Sequence, residues 1–346
     1  MTGPPSSEDS DAIRQAVADA AGVVDALGPK TDRDQRRTIA RTAMRLATEP
    51  HDRLDLKITA AALSEMRRAY AMFAPHRGRR KVTIFGSART RPDDPLYGIT
   101  RHLAARLAEA GWMVVTGAGP GIMAAGMAGA GRDQALGVNI RLPFEQVPSE
   151  HVDEDKLVEM RYFFTRKLML MKESSAFVAL PGGFGTLDET FELLTLQQTG
   201  KSVPAAVVLL DRPGGRYWTA WRDFLSGAVA EDRYIDPADL NLVSITDDVD
   251  EAVATIERFH AVFHSSRYVG DRLVLRVAEA PGPADVEAWS TEFGDILEGP
   301  ITVESGPLPG EHGELPDLPR VVLAFDRRGH GRLRQLIDRI NDGRRP

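Results

Sequence analysis

A glycine-rich turn between a buried strand and a helix is the stretch of this sequence best suited to chemistry. It reads Pro181-Gly-Gly-Phe-Gly-Thr186-Leu-Asp-Glu189 and follows the apolar run 176–180. A strand that enters a glycine turn and then a helix presents several backbone N–H groups to one point, which suits a phosphate or another anion. Gly182, Gly183 and Gly185 let a ligand come close to that backbone, because they carry no side chain.

The same stretch also has a purely structural interpretation. Thr186 and Glu189 have the spacing of a capping box, in which both side chains only satisfy the free N–H groups of a helix start. A cap does not require a Gly-Gly-x-Gly before it, so the density of glycine favours the anion site. The sequence leaves both interpretations open.

Composition excludes several classes of function. The chain has 346 residues, of which 42% are hydrophobic and 27% charged, so it can bury a large core. It contains no cysteine, which excludes disulfides, thiolate nucleophiles and cysteine-ligated metals. The net charge of −7 argues against a dedicated nucleic-acid-binding protein. Because no apolar run has the length of a membrane helix and the first residues lack a signal pattern, we expect a cytoplasmic protein without a membrane partner.

An alternation of strands and helices begins near residue 80. Seven apolar segments, at 81–85, 112–116, 135–140, 157–160, 176–180, 203–210 and 242–245, are separated by helical ones. This order predicts a three-layer α/β fold with a doubly wound, Rossmann-like parallel sheet, whose ligands bind at the carboxyl edge. The glycine loop 117–121 lacks the dinucleotide spacing and no Gly-Lys-Ser/Thr follows it, so neither NAD nor ATP is supported.

The flanking segments differ from this core. Residues 1–10 are polar and predicted to be disordered, and 11–79 have the apolar spacing of a helical extension. The core is placed at 80–264. Residues 265–346 are predicted to form a small β-α-β-β-α unit, in which we find no catalytic cluster.

Three basic residues, Arg161, Arg166 and Lys167, are predicted on the helix before the central strand. A solvated helix face is the simpler explanation for Lys167 and one of the arginines. Arg166, however, is close to the apolar run 168–171, which packs this part of the helix on most sides. An arginine in such a place needs a carboxylate or a phosphate as its partner.

Taken together, these motifs resemble the LONELY GUY (LOG) family. The resemblance is carried by Met160-Arg161, Arg166-Lys167 and the turn 181–189, with Gly86-Ser87 and the loop 116–123 upstream, and it covers about residues 80–262. The family comprises cytokinin riboside 5′-monophosphate phosphoribohydrolases and related nucleotide nucleosidases, many of them once mislabelled lysine decarboxylases.

The resemblance implies hydrolysis of the N-glycosidic bond of a nucleoside 5′-monophosphate, giving free base and ribose 5-phosphate without a cofactor or a metal. Arg166 and Glu189 match the family's catalytic pair, and a carboxylate near C1′ would stabilise an oxocarbenium-like transition state and orient water. The phosphate and ribose would be held by a larger set, namely Ser87, Gly119, Gly121, Gly182, Gly183, Gly185 and Thr186, with Arg161 and Lys167 as supporting residues.

Some features depart from the family pattern. Gly86-Ser-Ala-Arg89 lacks a second serine common in small members, and Ala118 replaces a common glycine. Because of these added segments, two substrate classes stay open. One is a cytokinin riboside monophosphate, used in cytokinin biosynthesis, and the other is a general purine or pyrimidine monophosphate, used in nucleotide salvage. A decarboxylase dependent on pyridoxal phosphate is rejected, because Lys167 belongs to the Arg-Lys pair and no supporting cofactor residues accompany it.

The resemblance also implies a homodimer or a higher homo-oligomer. A non-catalytic nucleotide-binding carrier or sensor on the same fold is the alternative function, since fold does not fix function. Because Arg166 and Glu189 are both present, the hydrolase is favoured.

Overall fold

The computed structural model describes residues 7–29, 31–141 and 151–342, which divide into two compact units at Arg67. The unit up to Arg67 is helical, as predicted. Its helices are α1 (Ser7–Leu27), α2 (Arg33–Thr48) and α3 (Arg53–Phe73), the last of which continues into the second unit.

The segment predicted to be disordered, residues 1–10, needs a correction. Residues 1–6 lie outside the described residues, but residues 7–10 form the first turn of α1. The acidic residue types at positions 8, 9 and 11 are favoured at a helix N-terminus, because the helix dipole is positive there.

A seven-stranded parallel sheet forms the centre of the second unit and confirms the predicted fold class. The spatial order is β4-β3-β2-β1-β5-β6-β7. The strands are β1 (Lys81–Phe85), β2 (Met113–Thr116), β3 (Ala135–Ile140), β4 (Leu157–Met160), β5 (Ala176–Ala179), β6 (Ala206–Leu210) and β7 (Ser244–Thr246).

Helices cover both faces of the sheet. They are α4 (Pro95–Glu109), α5 (Ile122–Ala130), α6 (Phe163–Lys172), α7 (Phe184–Gln198), α8 (Tyr217–Phe224) and α9 (Val249–Phe259). Val82 and Ile84 of β1 point into the main apolar core. Thr83 points to the opposite face because side chains alternate along a strand, and its hydroxyl donates to the carbonyl of Leu170 in α6 at 3.0 Å.

The sheet reverses its winding between β1 and β5. The chain runs outward from β1 to β4 on one side and from β5 to β7 on the other. In an open parallel sheet the loops after two such strands diverge and leave a crevice at the carboxyl edge. The loops that carry Ser87 and Gly182 follow these two strands.

The last part of the chain forms a four-stranded antiparallel sheet with the order β10-β11-β9-β8. Its elements are β8 (Phe263–Val269), β9 (Arg272–Val277), α10 (Pro283–Glu292), β10 (Thr302–Glu304), β11 (Arg320–Leu323) and α11 (His330–Asp342). Its apolar side belongs to the same core cluster as the parallel sheet.

The predicted β-α-β-β-α order of this part is wrong by one strand. Helix α9 ends at Phe259, and the additional strand β8 pairs with β9 around a two-residue turn at Gly270-Asp271. Gly270 adopts a φ of 64°, which such hairpin turns require. The Gly-Asp pair between two β-rich runs was the sequence signal for this hairpin.

Within the described residues, no helix combines the length and the apolar character needed to cross a membrane.

Candidate active site

The glycine turn at the end of β5 leads directly into α7, and its geometry rules out the capping box. The helix begins at Phe184 with Gly183 as its N-cap, and no side chain caps it. Thr186 is therefore the third helical residue rather than the cap. The N–H groups of the first helical turn have no intrahelical acceptor, so they remain available to a ligand at this helix start.

Gly182 lies where two loops meet. The N–H of Ser87 points to the carbonyl of Pro181 at 3.4 Å. A Cβ on Gly182 would stand 2.1 Å from Oγ1 of Thr186 and 3.0 Å from the backbone nitrogen of Ser87. Glycine is thus required at 182 by close packing. Gly183 and Gly185, in contrast, have open space beside them and are exposed.

The loop after β2 reaches the same place. The N–H of Ile122 donates to the carbonyl of Ser87 at 3.1 Å, and Gly121 has a φ of 68° with no room for a side chain against Ser87. Gly119 is buried in this loop. Ala118 adopts a φ of 51°, a conformation that favours glycine. This explains physically why glycine suits position 118, although alanine is accommodated there.

Arg166 extends from α6 towards β3 and the loop that follows β2. Its Nε donates to the carbonyl of Val138 at 3.0 Å, and its side chain is only 11% exposed. A Cβ on Gly117 would stand 2.0 Å from Nη2 of Arg166, so glycine at 117 makes room for the guanidinium. Nη1 lies 3.9 Å from Oε1 of Glu189.

Glu189 is a buried carboxylate with an incomplete set of partners. Its side chain is 9% exposed, and among the described residues Oε2 has no hydrogen-bond partner. Burial raises the pKa of Glu189 to about 7, against the opposing charges of Arg166 and Lys167. A carboxyl group with a pKa near 7 can give or take a proton at neutral pH, which suits general acid–base catalysis.

The other two basic residues have different surroundings. Nζ of Lys167 contacts Oδ2 of Asp188 at 2.6 Å and Oε2 of Glu192 at 2.7 Å, which ties α6 to α7. Burial lowers the pKa of Lys167, but the hydrogen bonds to these two carboxylates outweigh that effect and raise the pKa above its ordinary value. Arg161 was predicted on the helix, but it precedes α6 and is exposed. It is the residue directly after β4, because α6 does not begin until Phe163.

The structure therefore brings Arg166 next to Glu189 and joins the loops of Ser87, Gly121 and Gly182 at one edge.

Tyr217 is not among the sequence-predicted residues, yet its hydroxyl donates to the carbonyl of Gly182 at 2.7 Å. Neither is Asp211, a buried residue that follows β6 and accepts a hydrogen bond from the N–H of Tyr217 at 2.9 Å. A signal was present, because Asp211-Arg-Pro-Gly-Gly-Arg-Tyr217 follows a buried strand and so belongs to the same carboxyl edge.

In the part of the chain that the structure describes, no group of three or more His, Asp or Glu side chains is arranged to hold a metal ion.

Comparison with known proteins bears on this site. A family model described as "possible lysine decarboxylase" matches residues 121–256, which include Arg166, the glycine turn and Glu189. A protein of Mycobacterium marinum named cytokinin riboside 5′-monophosphate phosphoribohydrolase is 28% identical over 180 residues, which are 51% of this chain and 92% of that protein. A protein of the same name from Mycobacterium tuberculosis is 29% identical over 161 residues, 46% of this chain and 83% of its own length. These matches support the resemblance of the core to the LOG family.

Among solved structures, the molybdenum cofactor carrier protein of Chlamydomonas reinhardtii is 23% identical, with a TM-score of 0.39 over 52% of this chain and 97% of that one. This similarity is too weak to infer that this chain binds the same ligand.

The decarboxylase wording of the family model does not fit the parallel-sheet core of this chain. A lysine that forms a Schiff base must be able to lose its proton. Lys167 is instead held as a cation between two carboxylates, which raise its pKa.

Proposed function

We propose that this protein hydrolyses the N-glycosidic bond of a nucleoside 5′-monophosphate to free base and ribose 5-phosphate. The observation that carries the proposal is Glu189, a buried carboxyl group with a pKa of about 7 and one oxygen without a partner among the described residues. It lies one and a half turns into α7, the helix whose first turn would bind the phosphate. Binding of the substrate at that helix start would leave the glycosidic carbon within reach of Glu189.

The 5′-phosphate would be bound by backbone N–H groups and the helix dipole. Gly183, Gly185 and Thr186 supply N–H groups at the start of α7, where negative charge is favoured. Ser87, Gly119 and Gly121 would line the other side of the crevice, since Ser87 bonds to both neighbouring loops.

Hydrolysis requires a water molecule to add at C1′ while the bond to the base breaks. Ionised Glu189 would stabilise the positive charge that develops on the ribose ring and accept a proton from the attacking water. That proton balances the one that the departing base must gain. Burial favours this role, because a carboxylate with few partners is a stronger base.

Arg166 would stabilise the ionised form of Glu189, the charge on the departing base, or both. Its hydrogen bond to Val138 holds the guanidinium in place, and the 3.9 Å separation from Glu189 is longer than a hydrogen bond. Arg166 therefore favours the ionised carboxylate electrostatically without occupying its oxygens.

The relatives named as cytokinin riboside 5′-monophosphate phosphoribohydrolases support this reaction, and their name suggests a cytokinin precursor as one substrate. The experiment incubates the protein with AMP, GMP, CMP, UMP and isopentenyl-AMP and follows free base by chromatography. Glu189→Gln is the test variant, and Glu287→Gln, at an exposed position of α10, is the matched control.

We expect base release by the wild type and by Glu287→Gln, and its loss in Glu189→Gln. The order of preference among the nucleotides separates cytokinin activation from nucleotide salvage. If the nucleotides bind but none is cleaved, the protein is a carrier or sensor and the hydrolase proposal is rejected.

We also propose that the protein forms a homodimer through α6. Phe164 and Leu168 are exposed and lie four residues apart, so they share one face of the helix that carries Arg166. Phe163 and Phe184 are exposed as well, Phe184 by 93%. Light scattering should give the mass of a dimer for the wild type and of a monomer for Phe164→Glu; a monomeric wild type would refute this.

A further inference from the structure

Tyr217, the first residue of α8, contacts the glycine turn from the neighbouring strand end. Its hydroxyl donates to the carbonyl oxygen of Gly182 at 2.7 Å. A peptide group is planar and trans, so the N–H of Gly183 points away from the carbonyl of Gly182. A hydrogen bond that fixes this carbonyl therefore also fixes the direction of the Gly183 N–H.

This peptide needs such a restraint because both of its residues are glycine. Glycine has a wide choice of backbone angles, so a Gly-Gly peptide can rotate at little cost. Gly183 also has open space beside it. Among the described residues, a backbone hydrogen bond joins Ser87 to Pro181. The peptide between Gly182 and Gly183 is instead held by the hydrogen bond from the hydroxyl of Tyr217.

Tyr217 is itself held firmly. The carboxylate of Asp211 accepts the N–H of Arg212 at 2.8 Å and the N–H of Tyr217 at 2.9 Å. A Cβ on Gly215 would stand 2.2 Å from Oδ1 of Asp211, so the loop closes tightly around this carboxylate. The ring of Tyr217 packs edge-on against the fully buried Trp218, with ring centres 4.8 Å apart.

The hydroxyl also stays in the form that can donate. Burial raises the pKa of Tyr217, and the charge of Asp211 raises it further against the effect of the Gly182 contact. Tyr217 therefore keeps its proton across the range in which Glu189 titrates.

We propose that Tyr217 is a positioning residue for the phosphate, which holds the Gly182–Gly183 peptide so that the Gly183 N–H faces the bound anion. The identity of that anion, the phosphate of a nucleoside 5′-monophosphate or of ribose 5-phosphate, rests on the proposed function. Tyr217 itself does not touch the reacting atoms.

The test compares the wild type, Tyr217→Phe and the control Tyr234→Phe, which changes an exposed tyrosine. Titration calorimetry measures the affinity for ribose 5-phosphate, and kinetics measure KM and kcat for the preferred nucleotide. Loss of one hydrogen bond predicts a roughly three- to tenfold weaker affinity for ribose 5-phosphate and a similar rise in KM. We expect kcat to stay nearly constant, and binding of the corresponding nucleoside, which lacks the phosphate, to be unchanged.

Phenylalanine at 217 retains the packing on Trp218, so Tyr217→Phe should fold, and its urea midpoint checks this. Asp211→Asn provides a second route, since it weakens the anchor of Tyr217 while leaving the hydroxyl. It should lower the affinity for ribose 5-phosphate in the same direction.

The proposal is overturned if Tyr217→Phe binds ribose 5-phosphate as the wild type does, or if it loses nucleoside and nucleotide binding equally. A wild type that binds ribose 5-phosphate but releases no base refutes the hydrolase alone, and the affinities still decide the role of Tyr217. A wild type that does not bind ribose 5-phosphate refutes the phosphate site and the role of Tyr217 together.

Discussion

Glu189 in the parallel-sheet core and Glu311 in the antiparallel sheet are both buried carboxylates beside arginine, yet their surroundings are opposite. Oε1 of Glu311 accepts Nε of Arg276 at 2.8 Å, and Oε2 accepts Nε of Arg320 at 3.1 Å and the N–H of Leu308 at 2.9 Å. Burial alone would raise the pKa of Glu311, but these hydrogen bonds hold it below its ordinary value.

Glu189 has the opposite balance. Its nearest guanidinium nitrogen is 3.9 Å away, one oxygen has no partner in the described part of the chain, and burial raises its pKa to about 7. A fully satisfied carboxylate stabilises a fold but has no capacity left for chemistry. A buried carboxylate without a full set of hydrogen bonds lowers the stability of the fold but can still bind a substrate or exchange a proton, as is common at functional sites.

The largest expected effect is on activity, at Glu189. Loss of a general acid–base group predicts that Glu189→Gln lowers kcat by about 100- to 10,000-fold. Glu311→Gln should keep most of the wild-type kcat at a temperature where it is folded. The measurement is the rate of base release by each variant. Equal losses in both variants would remove the distinction between the two carboxylates.

The next largest effect is on stability, at Glu311. Arg276 and Arg320 are directly paired across β9 and β11, so their charges face each other when the carboxylate is removed. Breaking a buried ion pair predicts that Glu311→Gln lowers the free energy of unfolding by about 3–5 kcal/mol. Urea denaturation measures this, with the exposed Glu287→Gln as control. A loss as small as that of the control would show that the network contributes little.

Glu189→Gln should have the reverse effect on stability. A folded-state pKa above that of the unfolded chain means that the folded protein binds the proton more tightly, so its stability falls as the pH rises from about 4.5 to about 7. Glutamine does not ionise and avoids this loss.

We therefore expect Glu189→Gln to raise the free energy of unfolding by roughly 3 kcal/mol at pH 8 and by less than about 1 kcal/mol at pH 5. Urea denaturation at the two pH values measures the difference. A gain that does not depend on pH would contradict the raised pKa of Glu189.

The smallest effect is expected at Lys167. Like Glu311, it is paired directly with two side chains of opposite charge. Lys167→Met should lower the free energy of unfolding by about 1 kcal/mol or less, with kcat almost unchanged. Lys201→Met, at an exposed position, is the control. A large loss of kcat in Lys167→Met alone would make Lys167, rather than Arg166, the basic residue that the reaction needs.

Local patterns in the sequence determined the chemistry-bearing segments and the fold class. The alternation of apolar strands and helices predicts the parallel sheet, because side chains and connections repeat with fixed periods. The turn at 181–185 and the pair at 166–167 could likewise be found from residue types alone. The β8–β9 hairpin is not among the predicted elements, although the sequence contains its Gly-Asp turn.

Only the tertiary structure decided which of these residues work together. The N-cap position of Gly183 excluded the capping box, and the packing of α6 and α7 placed Nη1 of Arg166 3.9 Å from Oε1 of Glu189. The raised pKa of Glu189 and the contact of Tyr217 with Gly182 also depend on segments far apart in the chain. Burial and close contact are set by how distant elements pack, and no local pattern in the sequence contains that information.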